Sequence, residues 1–241
     1  MTAKIDATQM LRAGLLEGMS FVLASAAPLE ASPRDGRPPT AEVVAEACTA
    51  LGARVHRCEL VAGGSPEVDD ALVDAAVAEA IARPGGVQAL VVDVGGLFAA
   101  EARPRDGDAY GEPLVAALEA AWRVTRAVAN AAFIDPGAEG AGPGGRIVYV
   151  APPTAADGAR AKPELSGAHA DAARAGLENL ARTLSIEWAR YAITPVAIAP
   201  GPDGSADEVA ALVAYLASPA GSYFSGCLLD LRGSSAGPAL L

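Results

Sequence analysis

The sequence predicts an α/β fold, a doubly wound parallel sheet with helices on both faces, built as one domain over residues 1–241. Three observations predict it. Apolar runs of strand length alternate with stretches of helical period along the chain, the pattern of a parallel sheet covered on both sides. A length of 241 residues suits one such domain with a substantial core. Hydrophobic residues make up 51% of the chain and aromatic ones only 5%, so that core is built from Ala, Val, Leu and Ile.

Each element follows from its residues. "MSFVLASAA" (19–27) is an apolar run that predicts a buried strand, and the prolines and Gly36 of "PLEASPRDGRPP" (28–39) predict a loop. Thr40 is placed to cap "AEVVAEACTAL", and Gly52 to close that helix one residue past its end. "ARVHRCEL" alternates as a strand should, and Ser65-Pro66 opens a second helix, Ser65 as cap and Pro66 at its first position. "VQALVVDVGG" (87–96) predicts a strand ending in two glycines. A polar loop (101–112) leads to the helix "EPLVAALEAAWRVTRAVANAAFI", then a Gly-rich hairpin and the strand "RIVYVAPP". A long helix over 168–190, a turn at Tyr191 and Ala192, the strand "TPVAIAPG", the helix "SADEVAALVAYLASP" and the strand "GCLLDLRG" complete the order.

Composition excludes several classes of function. A net charge of −11 argues against nucleic acid or an anionic membrane as partner, because both need a basic surface. Cys48, Cys58 and Cys227 are scattered and form no CxxC pair, so they read as thiols of a reducing compartment, with no disulfide frame and no metal site. The acidic "EVDD" (67–70) falls in the first turn of a helix, where it complements the dipole. No apolar run reaches the roughly 18 to 20 residues of a membrane span, and "MTAKIDATQMLRAG" lacks the apolar stretch of a signal peptide. The expected location is the cytoplasm.

Four segments carry a family likeness: "LVVDVGG" (90–96), "GGRIVYVAPP" (144–153), "ARAGLENLARTLSIEWARYAITPVAIAPG" (173–201) and "ADEVAALVAYLASPAGSYFSGCLLDLRG" (206–233). Together they resemble the short-chain dehydrogenases/reductases, in particular their 3-oxoacyl-carrier-protein reductase-like branch. The resemblance implies a Rossmann-like sheet that binds NAD(P) across the carboxyl ends of its strands. It also implies a catalytic set of asparagine, serine, tyrosine and lysine. Tyrosine and lysine stand four apart on one helix, so that both face one pocket.

Aligned motif by motif, this chain departs at every catalytic position. The asparagine falls at Ala117, the serine at Pro152, the tyrosine at Ala170, and the lysine at Arg174, a cation whose pKa is too high to shuttle protons. The glycine-rich loop after the first strand is replaced by "ASAAPLEASPRDGRPP", which has one glycine. Only "ARVHRCEL" is found where the family has two further strands, so the fold is expected to be one βα unit short. After Pro200-Gly201 the mobile segment that closes over substrate is missing, leaving a site open to water.

The expected catalytic residues are therefore none, and no cofactor is expected. Gly95, Gly96, Pro200 and Gly201 match the family's cofactor-side loops but serve equally as turns. His169, one residue from the tyrosine position, is turned about 100° away along its helix and makes a poor substitute acid. His56 reads as a half-buried or surface histidine, and Tyr149, three residues before Pro152 on a strand, faces the opposite side. Halohydrin dehalogenases, which resemble this family and carry arginine for lysine, still need the absent serine and tyrosine.

The resemblance then implies a non-catalytic subunit partnering an intact family member that acts on hydroxyacyl or oxoacyl thioesters. The alternatives are an active oxidoreductase with an atypical site and a self-associating ligand binder. Ala172, Ala173, Ala175, Gly176 and Ala181 are small and Leu177, Leu180, Leu184, Ile186 and Trp188 large. That is more apolar surface than one sheet-facing stripe needs, so a subunit contact is expected along the long helix.

Overall fold

The computed structural model describes residues 7–27, 38–60, 66–83, 85–101, 112–134, 144–153, 166–201 and 204–231. The capping role of Ser65 and the Gly-rich hairpin before Gly144 lie outside them. Six strands form one parallel sheet: β1 Ser20–Ala26, β2 Arg54–Leu60, β3 Ala89–Asp93, β4 Gly145–Val150, β5 Ile193–Ala199 and β6 Cys227–Asp230. Their order is β2-β1-β3-β4-β5-β6. The common doubly wound order 3-2-1-4-5-6 has a further strand outside the second. Among the described residues no such strand is present, and β2 pairs with β1 alone and forms an open edge.

Among the described residues, seven α-helices cover the two faces of the sheet: α1 Ala7–Met10, α2 Thr40–Ala50, α3 Pro66–Ile81, α4 Val94–Glu101, α5 Glu112–Val128, α6 Ser166–Glu187 and α7 Ala206–Ala217. All five residues of β3 are buried, and they divide by the two-residue period of a strand. Leu90 and Val92 join the layer of α3 to α6, which also takes in Val77, Phe98, Val124 and Leu177. Ala89 and Val91 join the layer of α1, α2 and α7 with Val44, Leu16 and Val213.

The caps follow local chemistry. Gly52, one residue past the C-cap of α2, has φ +101°, where only glycine is unstrained. Ser205 and Glu208 form a reciprocal capping box at the start of α7. Thr40 is the first residue of α2, with Pro39 in the cap position. The glycines after β3 do not end in a loop, since α4 starts at Val94. α5 runs into a single π-helical turn over Ala129–Phe133. Ala192, at φ 56°, makes the left-handed turn from α6 into β5. No helix among the described residues is long and apolar enough to cross a membrane.

Candidate functional site

In this topology the chain winds one way from β1 to β2 and then returns to place β3 on the other side of β1. At that reversal the loops leave in opposite directions and open a crevice at the carboxyl ends of the strands. The crevice is a cleft of about 700 Å³. Its walls are Pro39 and Thr40 at the start of α2, Gly95 and Gly96 after β3, Pro200 and Gly201 after β5, and Ser205 at the start of α7. β5 ends at Ala199 and α7 begins at Ala206, so no lid-sized segment separates them.

Asp93, the last residue of β3, also lines the cleft and is only 5% exposed. Its carboxyl accepts hydrogen bonds from the Gly96 amide at 2.9 Å and from the Ala41 amide in the first turn of α2. Burial raises its pKa above the ordinary value of 3.8, against the pull of those two amides. The glycines beside it are shaped by the protein's own atoms. A Cβ on Gly96 would lie 2.6 Å from the Asp93 carboxyl, and one on Gly95 would lie 3.1 Å from the Ala151 carbonyl oxygen.

The four positions of the expected catalytic set lie outside the walls of this cleft. Ala117 on α5 and Ala170 on α6 are 0% and 5% exposed and belong to the apolar layer between those helices and the sheet. Pro152 is buried just after β4. Arg174, one turn beyond Ala170, is 5% exposed, and its Nη1 donates to the carbonyls of Pro152 and Pro200 at 3.3 Å each. Its Nη2 lies 3.9 Å from the Asp230 carboxylate at the end of β6. One guanidinium thus ties together the carboxyl ends of β4, β5 and β6. A lysine in its place would have only one nitrogen to share among them.

Other candidates fall into ordinary structural places. Tyr149 is fully buried, its hydroxyl 2.9 Å from Thr125 Oγ1, and burial drives its pKa well above the usual phenol range. His56 is half-buried and hydrogen-bonds Ser20 Oγ at 3.0 Å. Burial and the nearby Arg83 lower its pKa. His169 is partly exposed. Cys48 and Cys58 are buried thiols, and burial pushes Cys48 up to about 12, far from reactive. No cluster of metal-ligating side chains exists among the described residues.

No family model and no curated protein sequence matches the chain. Solved structures do share its fold. A short-chain dehydrogenase from Mycobacterium smegmatis superposes with a TM-score of 0.64 at 23% identity, over 92% of this chain and 95% of that one. The citronellol catabolism dehydrogenase of Pseudomonas aeruginosa PAO1 gives 0.63 at 22% identity, over 92% and 96%. Acetoin dehydrogenase from Salmonella typhimurium gives 0.59 at 20% identity, over 89% and 86%. These likenesses establish the fold.

They also correct one expectation, that no cofactor is involved. The structures sharing this fold are dehydrogenases and reductases, enzymes that move hydride to and from NAD(P). The expectation equated loss of the glycine-rich loop with loss of the binding cleft. The walls of the cleft come from strand ends and helix starts, and those remain. The cleft lies where doubly wound folds bind a dinucleotide, and its volume of about 700 Å³ is that of a small-molecule site. At the phosphates the fit is altered, since Asp93 already uses an amide of the first turn of α2.

Proposed function

We propose that this chain is a non-catalytic subunit of short-chain dehydrogenase/reductase type, partnering an intact member that oxidises or reduces a 3-hydroxyacyl or 3-oxoacyl thioester. The observation that carries it is the state of the tyrosine-lysine pair. Ala170 is packed in the core and Arg174 is engaged with backbone carbonyls, so neither presents a proton to the cleft. Pro152 has no hydroxyl, and its carbonyl is spent on Arg174.

The outer surface of α5 and α6 supports a subunit role. Val115, Trp122 and Ile186 are 54%, 39% and 74% exposed, and Trp122 stacks on Trp188 with ring centroids 6.2 Å apart. Ala172 and Ala175 beside them are exposed and small, which lets a partner helix approach closely. Ala173, Leu177, Ala181 and Leu184 are the buried stripe of the same helix.

The cleft supports ligand binding without turnover. A nicotinamide dinucleotide is the ligand class it takes, held by the backbone at Gly95–Gly96 and Pro200–Gly201 and by Thr40 and Ser205. Such a cofactor supplies hydride chemistry when bound, and this chain's residues contribute position and shelter.

The test is to co-express the chain with an intact short-chain reductase encoded beside it and examine the product by native mass spectrometry. A mixed complex, with activity abolished by removing the partner's catalytic tyrosine and unaffected by Arg174→Lys here, is expected. A clean monomer at micromolar concentration, with no mixed complex, overturns the subunit reading. Thioester turnover by the purified chain alone overturns the non-catalytic one.

A further inference from the structure

At the end of the sheet opposite the cleft, Arg146 near the amino end of β4 sits in a hollow of about 410 Å³. It is half-buried, and its Nε is fully buried with no hydrogen-bond partner among the described residues. Removal from water lowers its pKa. The chain carries 29 acidic residues against 18 basic ones. An arginine left unanswered in such a chain is not short of candidate partners by composition. Burying a guanidinium without an acceptor is costly, and such groups are found paired in folded proteins.

The register places a second donor beside it. Arg146 of β4 and Thr194 of β5 are Cα partners in a parallel ladder, so their side chains leave the sheet on the same face. Thr194 lines the same hollow, is partly exposed, and makes no side-chain hydrogen bond among the described residues. The other polar groups nearby are committed. The Gln88 amide donates to the Gly85 carbonyl while its oxygen accepts from the Ser20 amide, and the Ser222 hydroxyl donates to the Pro219 carbonyl. Gly86 borders the hollow with bare backbone, and a Cβ there would meet nothing within 4 Å. Along β4 this point is about 16 Å from the cleft, since Arg146 and Ala151 are five residues apart at roughly 3.3 Å each.

We infer that Arg146 and Thr194 form a binding site for a small oxyanion, a carboxylate or phosphate group of a metabolite. The guanidinium fork matches two oxygens of such a group, and the threonine hydroxyl reaches a third. A hollow of this size holds more than the anionic group itself, so the ligand carries a small body with it. The site stands independently of the function proposed for the cleft.

The test is thermal unfolding and isothermal titration of the full chain with inorganic phosphate and, separately, with succinate, each against sodium chloride at matched ionic strength. The wild type is expected to be stabilised by at least one oxyanion beyond the salt control. The better of the two names the ligand class. Arg146→Met is expected to weaken that anion at least tenfold, and Thr194→Val about threefold or more. Arg146→Met is also expected to unfold no earlier than wild type without anion, because it removes a buried donor nitrogen that has no acceptor among the described residues. Thr194→Val keeps the test decisive should the arginine variant misfold. No response of the wild type to either anion, or an equal response in wild type and both variants, overturns the site.

Discussion

Replacing Arg174 by methionine tests whether its guanidinium holds the carboxyl ends of β4, β5 and β6 together. Methionine fills much the same volume on the same helix face, so the change isolates the polar contacts. Two hydrogen bonds to the carbonyls of Pro152 and Pro200 are lost, and the Asp230 carboxylate loses its neighbouring cation. A hydrogen bond from a charged donor contributes about 1.5–3 kcal/mol, and the two here, each at 3.3 Å, belong at the low end. The ion pair is long at 3.9 Å and Asp230 is 36% exposed, so screening holds it to well under about 1 kcal/mol. Relief from burying the charge offsets part of the sum. The expected loss is about 2–3 kcal/mol, and Arg174→Lys, which keeps the charge without the fork, should lose about 1–2 kcal/mol. Urea unfolding followed by circular dichroism measures both, with an unchanged slope required for the comparison. If Arg174→Met unfolds within about 0.5 kcal/mol of wild type, the guanidinium ties nothing and the reasoning fails.

Three further predictions rest on named geometry. Restoring the catalytic set with Ala170→Tyr, Arg174→Lys and Pro152→Ser should yield no measurable NADPH consumption with a 3-oxoacyl thioester. Ala170 is packed in the core, so the tyrosine alone should cost about 1–3 kcal/mol of stability by urea unfolding. Asp93 binds its proton more tightly folded than unfolded, so its contribution is full below the ordinary value of 3.8 and is lost as pH rises through its raised folded pKa. The stability of wild type minus that of Asp93→Asn, measured from pH 4 to 8, should therefore fall as pH rises, and a flat difference would refute the assignment. Gly221→Ala should cost more than about 3 kcal/mol or abolish soluble expression, because the added Cβ would lie 1.9 Å from the Leu216 carbonyl oxygen.

Much of the architecture was legible because its signals are local. The apolar runs of β1, β3 and β5, the glycine past α2 and the Ser205–Glu208 pair each carry their meaning within a few residues. Which βα unit is missing was not legible, because strand order depends on pairings between distant segments. The helix start at Val94 was hidden by Gly95 and Gly96, which read as a turn on propensity alone. Their bareness is set by Ala151 across the sheet and by Asp93, a tertiary demand. The site shows the same division. Which residue types stand at 117, 152, 170 and 174 was readable. That Arg174 would reach backbone carbonyls at the ends of β4 and β5 was not, since attention to proton transfer overlooks a guanidinium's use as a tie. Asp93 was missed although it carried a signal, a lone acid closing an otherwise apolar strand. The thermodynamic interest of Arg146 lies in a buried nitrogen with no acceptor among the described residues, and no sequence pattern expresses that.

The open edge at β2 has a consequence for how such a chain survives in a crowded cell. A sheet that ends in an unpaired strand is a template for any extended segment that drifts past, including the same strand of a nascent copy. Among the described residues the β2 edge has no further partner strand, so protection must come from the strand's own side chains. Arg54, Arg57 and Glu59 supply it as exposed charges along the edge, and the bidentate pairing of Arg57 with Glu42 of α2 fastens one of them in place. Neutralising these gatekeepers would leave the native fold standing and turn its margin into a seed for aggregation, a failure of colloidal rather than conformational stability.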